Sequence, residues 1–116
     1  MKICFDIEGM TFVATLDDSE AARDFAALLP LSITLTDYAA TEKVSDLPRR
    51  LSTRGAPKGT AAKIGDIAYY APWGNLALFF RDFRHVEGLM KLGRFDGPAD
   101  VLARAGPLSA TIRILA

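Results

Sequence analysis

The chain has 116 residues, half of them apolar, with 14 lysines and arginines against 14 aspartates and glutamates. That composition can offset the entropy of ordering in one globular domain, residues 1–116, and it excludes wholesale disorder. No run reaches the ~20 apolar residues of a membrane span, and zero net charge gives no long-range field for nucleic acid.

A single cysteine (Cys4) and a single histidine (His85) cannot build a disulfide framework, a thiolate cluster or a multi-histidine metal site, so no metal and no cofactor is expected. The opening run Met1-Lys2-Ile3-Cys4-Phe5-Asp6 turns acidic before a signal-peptide core could form, and a cytoplasmic location is expected. Ile3, Phe5 and Ile7 alternate with Lys2, Cys4 and Asp6 and run into Glu8-Gly9, which predicts a strand entering a hairpin. Thr11–Leu16 continues as an antiparallel second strand. Asp17 is a candidate N-cap with Glu20 three residues on, and Ala22, Phe25, Ala26 and Leu29 fall on one helical face before Pro30, so a helix is expected over about residues 18–29.

Leu31–Thr36 alternates strictly and predicts a half-buried strand. Residues 39–66 keep neither period for long. They read as a short turn of helix or strand near Leu47–Ser52, then an exposed loop through Gly59, with Arg49, Arg50 and Arg54 on a solvated surface. Ile67–Ala71 is a strand that Pro72 closes, Trp73-Gly74-Asn75 a tight connection, and Leu76–Phe80 a central strand buried on both faces. Leu89–Phe95 is a further strand, Pro98–Arg104 a short helix stopped by Gly106-Pro107, and Ser109–Leu115 the last strand. Close-spaced strands with a helix near each end fit an antiparallel barrel, and a strand at each terminus suggests that the chain ends pair with each other or lie close together.

Hydrolase, nucleotide and zinc-protease signatures are absent. Tyr69 and Tyr70 must face opposite sides of their strand, so one of them is core. Trp73 reads as a ligand platform or as a lid, and Asn75 closes its turn or contacts a ligand. Arg81, between Phe80 and Phe83, either overhangs a pocket or pairs with Asp82 at a barrel rim. Glu42 and Lys43, just after Tyr38, read as a surface pair at the mouth of the long loop. His85, beside Arg84 and Glu87, reads as a solvated loop position, and Cys4 as a small packed apolar residue.

The run Cys4-Phe5-Asp6-Ile7, the helix ending in Leu28-Leu29-Pro30 and the strand after it resemble the opening of a cyclophilin. Gly65–Phe80, with Asp24–Pro30 and Thr41-Glu42-Lys43, resembles the small bacterial cyclophilin-like domains of uncharacterised function. The resemblance implies a mainly β protein: a closed antiparallel barrel of about eight strands capped by one or two helices. In true cyclophilins that fold isomerises Xaa-Pro bonds, using an arginine that donates to the prolyl nitrogen. Leu31-Ser32-Ile33-Thr34-Leu35 contains no arginine where cyclophilins carry Phe-His-Arg, and the Gln-Gly-Gly-Asp and Phe-x-Met-Ala-Asn runs are absent. The fold is therefore expected without the inherited catalytic site. Three functions remain. The first is a groove drawn from Tyr38, Glu42, Tyr70, Trp73, Asn75, Phe80 and Arg81 that holds a small molecule or proline-containing peptide. The second is an isomerase in which Arg81 is the catalytic donor. The third is a module that forms a homodimer through its aromatic rim.

Overall fold

Period-two alternation of apolar side chains rolls most of the chain into a closed wall, because each strand has one face that must leave water. The structure is a computed structural model that describes residues 1–115. Its strands are β1 (Lys2–Ile7), β2 (Met10–Leu16), β3 (Leu31–Tyr38), β4 (Glu42–Asp46), β5 (Gly59–Ala62), β6 (Asp66–Tyr70), β7 (Asn75–Phe79), β8 (Phe83–Glu87), β9 (Leu89–Phe95) and β10 (Leu108–Ile114). Eight of them close an antiparallel barrel in the order β1-β10-β3-β4-β7-β6-β9-β2, and β5 and β8 pair separately as a two-stranded ribbon. The terminal strands β1 and β10 are neighbours, with Phe5 opposite Ile112.

The interior is filled by alternate residues: Ile3, Phe5 and Ile7 from β1, Ile67 and Tyr69 from β6, Leu76 and Leu78 from β7, and Met90 and Leu92 from β9. Tyr69 is the buried member of its pair, and its hydroxyl accepts from the Leu51 amide at 3.1 Å. The helix α1 (Glu20–Ala26) adds Ala22 and Phe25 to this core, and a 3₁₀ turn (Asp100–Ala103) adds Val101 and Leu102. Among the described residues no helix is long and apolar enough to cross a membrane.

Local chemistry corrects several sequence expectations. The N-cap of α1 is Ser19, whose Oγ accepts from the Ala22 amide at 3.1 Å, not Asp17. The helix stops at Ala26 because the Leu28 and Leu29 amides bond three residues back, tightening the last turn before Pro30. The segment 39–66 holds two strands, β4 and β5, joined by the loop over residues 47–58. His85, expected at a solvated loop position, is exposed as expected but lies in the strand β8.

Candidate functional site

Register sets the site. Along the outward face of the wall, Tyr38 stands beside Glu42 and Glu42 beside Phe79. One step along, Val44 meets Ala77 and Ala77 meets Ala68. One step further, Asn75 meets Tyr70 and Tyr70 meets Leu89. The β5–β8 ribbon lies over this face, and Phe83 and Val86 pack with Ala68, Ala77, Phe79 and Leu89 as a second, smaller apolar cluster outside the barrel. Large residues ring the face while alanines floor it, so the ribbon stands off and encloses a cavity of about 220 Å³.

Two glycines fix the ribbon at that height. A Cβ on Gly59 would lie 2.3 Å from the Val86 carbonyl oxygen, so β5 approaches β8 too closely for any side chain. Gly88, at φ +87°, presses its backbone against Pro72, where a Cβ would meet Cδ at 2.7 Å. Its carbonyl accepts from the Ala71 amide at 2.9 Å, and its amide donates to the Lys58 carbonyl at 2.7 Å.

Of the aromatic rings lining the cavity, three cluster together. Trp73 is flanked by Tyr38 at 5.4 Å and 84° and by Tyr70 at 5.3 Å and 82°, both edge-on contacts. Trp73 remains 54 % exposed and Tyr38 42 %, so both line the cavity while staying open to solvent. Arg84 of β8 also reaches the cavity, its guanidinium carbon 5.2 Å from the centre of the Phe83 ring.

Beneath the rings lie two polar side chains, each more than nine-tenths buried: Glu42 and Asn75. Burial pushes the Glu42 carboxyl up to about 7, since the charged form loses hydration. Asn75 carries a buried amide oxygen, Oδ1, with no hydrogen-bond partner. An orphaned buried acceptor costs on the order of 1–3 kcal/mol, and such costs persist where a ligand supplies the donor. Two broader depressions on the surface, one along Ser32, Thr34 and Ser109 and one around Ile64, Phe80 and Pro98, hold no orphaned side-chain atom among the described residues. No three His, Cys, Asp or Glu side chains gather as a metal-binding group among the described residues.

Lys43 shows why Glu42 is unpaired. Neighbours on a strand face opposite sides. Lys43 therefore points into the barrel, fully buried, where its Nζ donates to Asp37 Oδ1 at 2.6 Å, the Arg104 carbonyl at 2.6 Å and the Gly106 carbonyl at 2.5 Å. The hydrogen bond from Lys43, followed by that from the Gly106 amide, holds the Asp37 carboxyl below its usual range. The expected surface pair of Glu42 and Lys43 is thus two buried groups on opposite faces of β4.

The structure brings Tyr38, Glu42, Tyr70, Trp73 and Asn75 to one cavity. Phe80 and Arg81 lie elsewhere: Phe80 packs against the barrel interior, and Arg81 is exposed and does not line the cavity. The Asp82 carboxylate, expected as a partner for Arg81, accepts from the Ile64 amide at 2.9 Å. Asn75 does not close its turn through its side chain. Phe79, Phe83 and Arg84 also line the site; the reading of Leu76–Phe80 as a strand buried on both faces carries the signal for Phe79, whereas Phe83 and Arg84 become visible only once β8 is known to be a strand.

The sequence matches the family model described as "Cyclophilin-like family" over residues 5–113. The fold is similar to the solution structure of the hypothetical protein AF2241 from Archaeoglobus fulgidus, with a TM-score of 0.71 at 19 % identity, covering 99 % of this chain and 95 % of that one. No curated protein matches the sequence.

Proposed function

The chain belongs to the cyclophilin-like family, and from that premise we propose that it is a binding domain taking a small molecule or short peptide between barrel wall and ribbon. The observation that supports this is the pairing of an apolar cavity with two nine-tenths-buried polar side chains, one with an orphaned acceptor. A cavity built only as a packing defect would be lined by apolar groups, which need no partner. Size narrows the ligand. An engineered apolar cavity of about 150 Å³ admits benzene, and drug-sized sites run from roughly 300 Å³. At about 220 Å³ this cavity takes a head group or one side chain, leaving the rest of the ligand along Trp73 and Tyr38.

A prolyl isomerase remains the second reading, and one observation favours it: Arg84 places a guanidinium at an apolar cavity, the two components that chemistry needs. Arg81, which does not line the cavity, is the weaker donor. One experiment separates the readings: proline cis/trans exchange measured by NMR over a panel of Xaa-Pro peptides, with fluorescence of the sole tryptophan recorded in the same titrations. A Trp73 response without faster exchange supports a binding domain. Exchange well above the uncatalysed scale of tens to hundreds of seconds, abolished by Arg84→Ala, would make it an isomerase.

A further inference from the structure

Resting on that reading, we propose that the cavity recognises a small organic cation, an alkylammonium group seated among Tyr38, Tyr70 and Trp73 with the Glu42 carboxylate as its counter-ion. Three features of the lining point to this class. First, both tyrosine rings stand nearly perpendicular to the indole, so π-faces are available in more than one plane for a cation seated over aromatic rings. Second, the only acidic side chain lining the cavity among the described residues is Glu42, and it has no ion-pair partner within the protein. Third, the orphaned Asn75 Oδ1 is an acceptor, and together with a carboxylate it presents oxygen lone pairs to the ligand and no competing acid.

Arg84 is the observation against which this must be weighed, because a guanidinium at a cavity also suits an anion. It is exposed and already rests on the Phe83 ring, whereas Glu42 is 93 % withdrawn from solvent by its 7 % exposure. An exposed charge is hydrated without a ligand; a buried one gains most from a counter-ion, so Glu42 dominates selection.

The proposal has a pH signature. Glu42 is faced by Tyr38 from β3, Tyr70 from β6 and Arg84 from β8, with uncharged Phe79 and Asn75 on β7; no histidine lines the cavity among the described residues. A cation binds the carboxylate form. With Glu42 titrating at about 7, its ionised fraction rises about tenfold from pH 6 to pH 8, and affinity should rise with it.

The test uses three probes of nearly one shape: choline, 3,3-dimethylbutan-1-ol and 3,3-dimethylbutanoate, each titrated against the intact protein by Trp73 fluorescence and amide NMR. Choline is expected to bind at least tenfold tighter than the neutral alcohol. Glu42→Gln should erase that preference, and Tyr38→Leu, at a half-exposed position, should weaken choline without unfolding the protein. Equal or tighter binding of the alcohol or the carboxylate overturns cation selection yet leaves the binding domain standing. Silence of all three probes overturns cation selection as well, and the peptide titrations then decide the broader reading on their own.

Discussion

Burial holds the Glu42 carboxyl near half-protonation at neutral pH, and this sets a stability signature opposite to that of most acids. The folded protein keeps a proton that the unfolded chain releases from about pH 4.5 upward. Stability from this group is therefore fully present below pH 4.5, falls as pH rises to about 7 and is level beyond. The ligand-free protein should lose on the order of 3 kcal/mol between pH 4.5 and pH 8 through Glu42. Urea unfolding at several pH values should show Glu42→Gln lacking that decline; parallel profiles would remove Glu42 as its source. Asp6, Asp24, Asp37 and Asp96 are all held below the usual carboxylate range by hydrogen bonds from Arg113, Arg49, Lys43 and Lys2, so their losses fall below that window. Lys43→Met is expected to cost roughly 3–5 kcal/mol, because it strips the donor from two backbone carbonyls and Asp37 at once. A loss under about 1 kcal/mol in urea unfolding would show that water replaces the ammonium. Neither burial was legible in the sequence: an adjacent acid and base look like a surface pair until a strand sends them to opposite faces.

At the scale of elements, the β3–β4 hairpin explains why β4 escaped a reading by pattern. The Thr41 amide donates to the Tyr38 carbonyl at 3.2 Å, and the two residues between, Ala39 and Ala40, both sit at φ +55°. That turn favours Asn-Gly, and alanine is strained there by about 1 kcal/mol per residue. With no glycine or asparagine to announce it, and with Glu-Lys-Val-Ser-Asp as its strand, β4 carries loop chemistry in a strand position. Replacing the pair by Asn-Gly (A39N/A40G) should stabilise the protein by about 1 kcal/mol in thermal unfolding; no gain would mean that the strain is relieved elsewhere. By contrast β6, β7 and β9 are legible nearly to the residue, since Gly65, Pro72 and Gly74 bracket runs rich in apolar residues. The ribbon is the other hidden element, and its glycines make it testable. Gly88→Ala must displace Pro72 and adopt a left-handed backbone, so amide NMR shifts should spread through β8 and the Tyr70–Trp73 turn. Gly9→Ala, with nothing within 4 Å of its Cβ, faces only the backbone penalty and should leave those signals in place. Similar spectra for both variants would show that the ribbon is not anchored at Gly88.

At the scale of the whole molecule, the closed barrel frees the outside of its wall for function. Interior packing is complete without the ribbon: β1 and β10 close the circle, and the aromatic and aliphatic core lies within. The cavity therefore belongs to a second, smaller layer built on the outward-facing residues of β3, β4, β6, β7 and β9. Alternation in the terminal strands and the apolar run of the central one made the barrel readable, and five site residues were named in advance, Glu42 partly through the family resemblance. Their common location was not, because it depends on which strands are neighbours around the wall. The exposed edges of Trp73 and Tyr38 serve the cavity mouth in this account, so sedimentation at two concentrations should give a monomer. A concentration-dependent dimer with altered Trp73 fluorescence would place those rings in an interface instead.

The most direct measurement is an amide NMR screen of the intact protein against small polar fragments, mapped residue by residue. Shifts are expected to concentrate at Tyr38, Glu42, Tyr70, Trp73, Asn75 and Val86. Shifts confined to the Ser32–Ser109 face or the Ile64–Pro98 face would contradict it, placing the binding site elsewhere on the barrel.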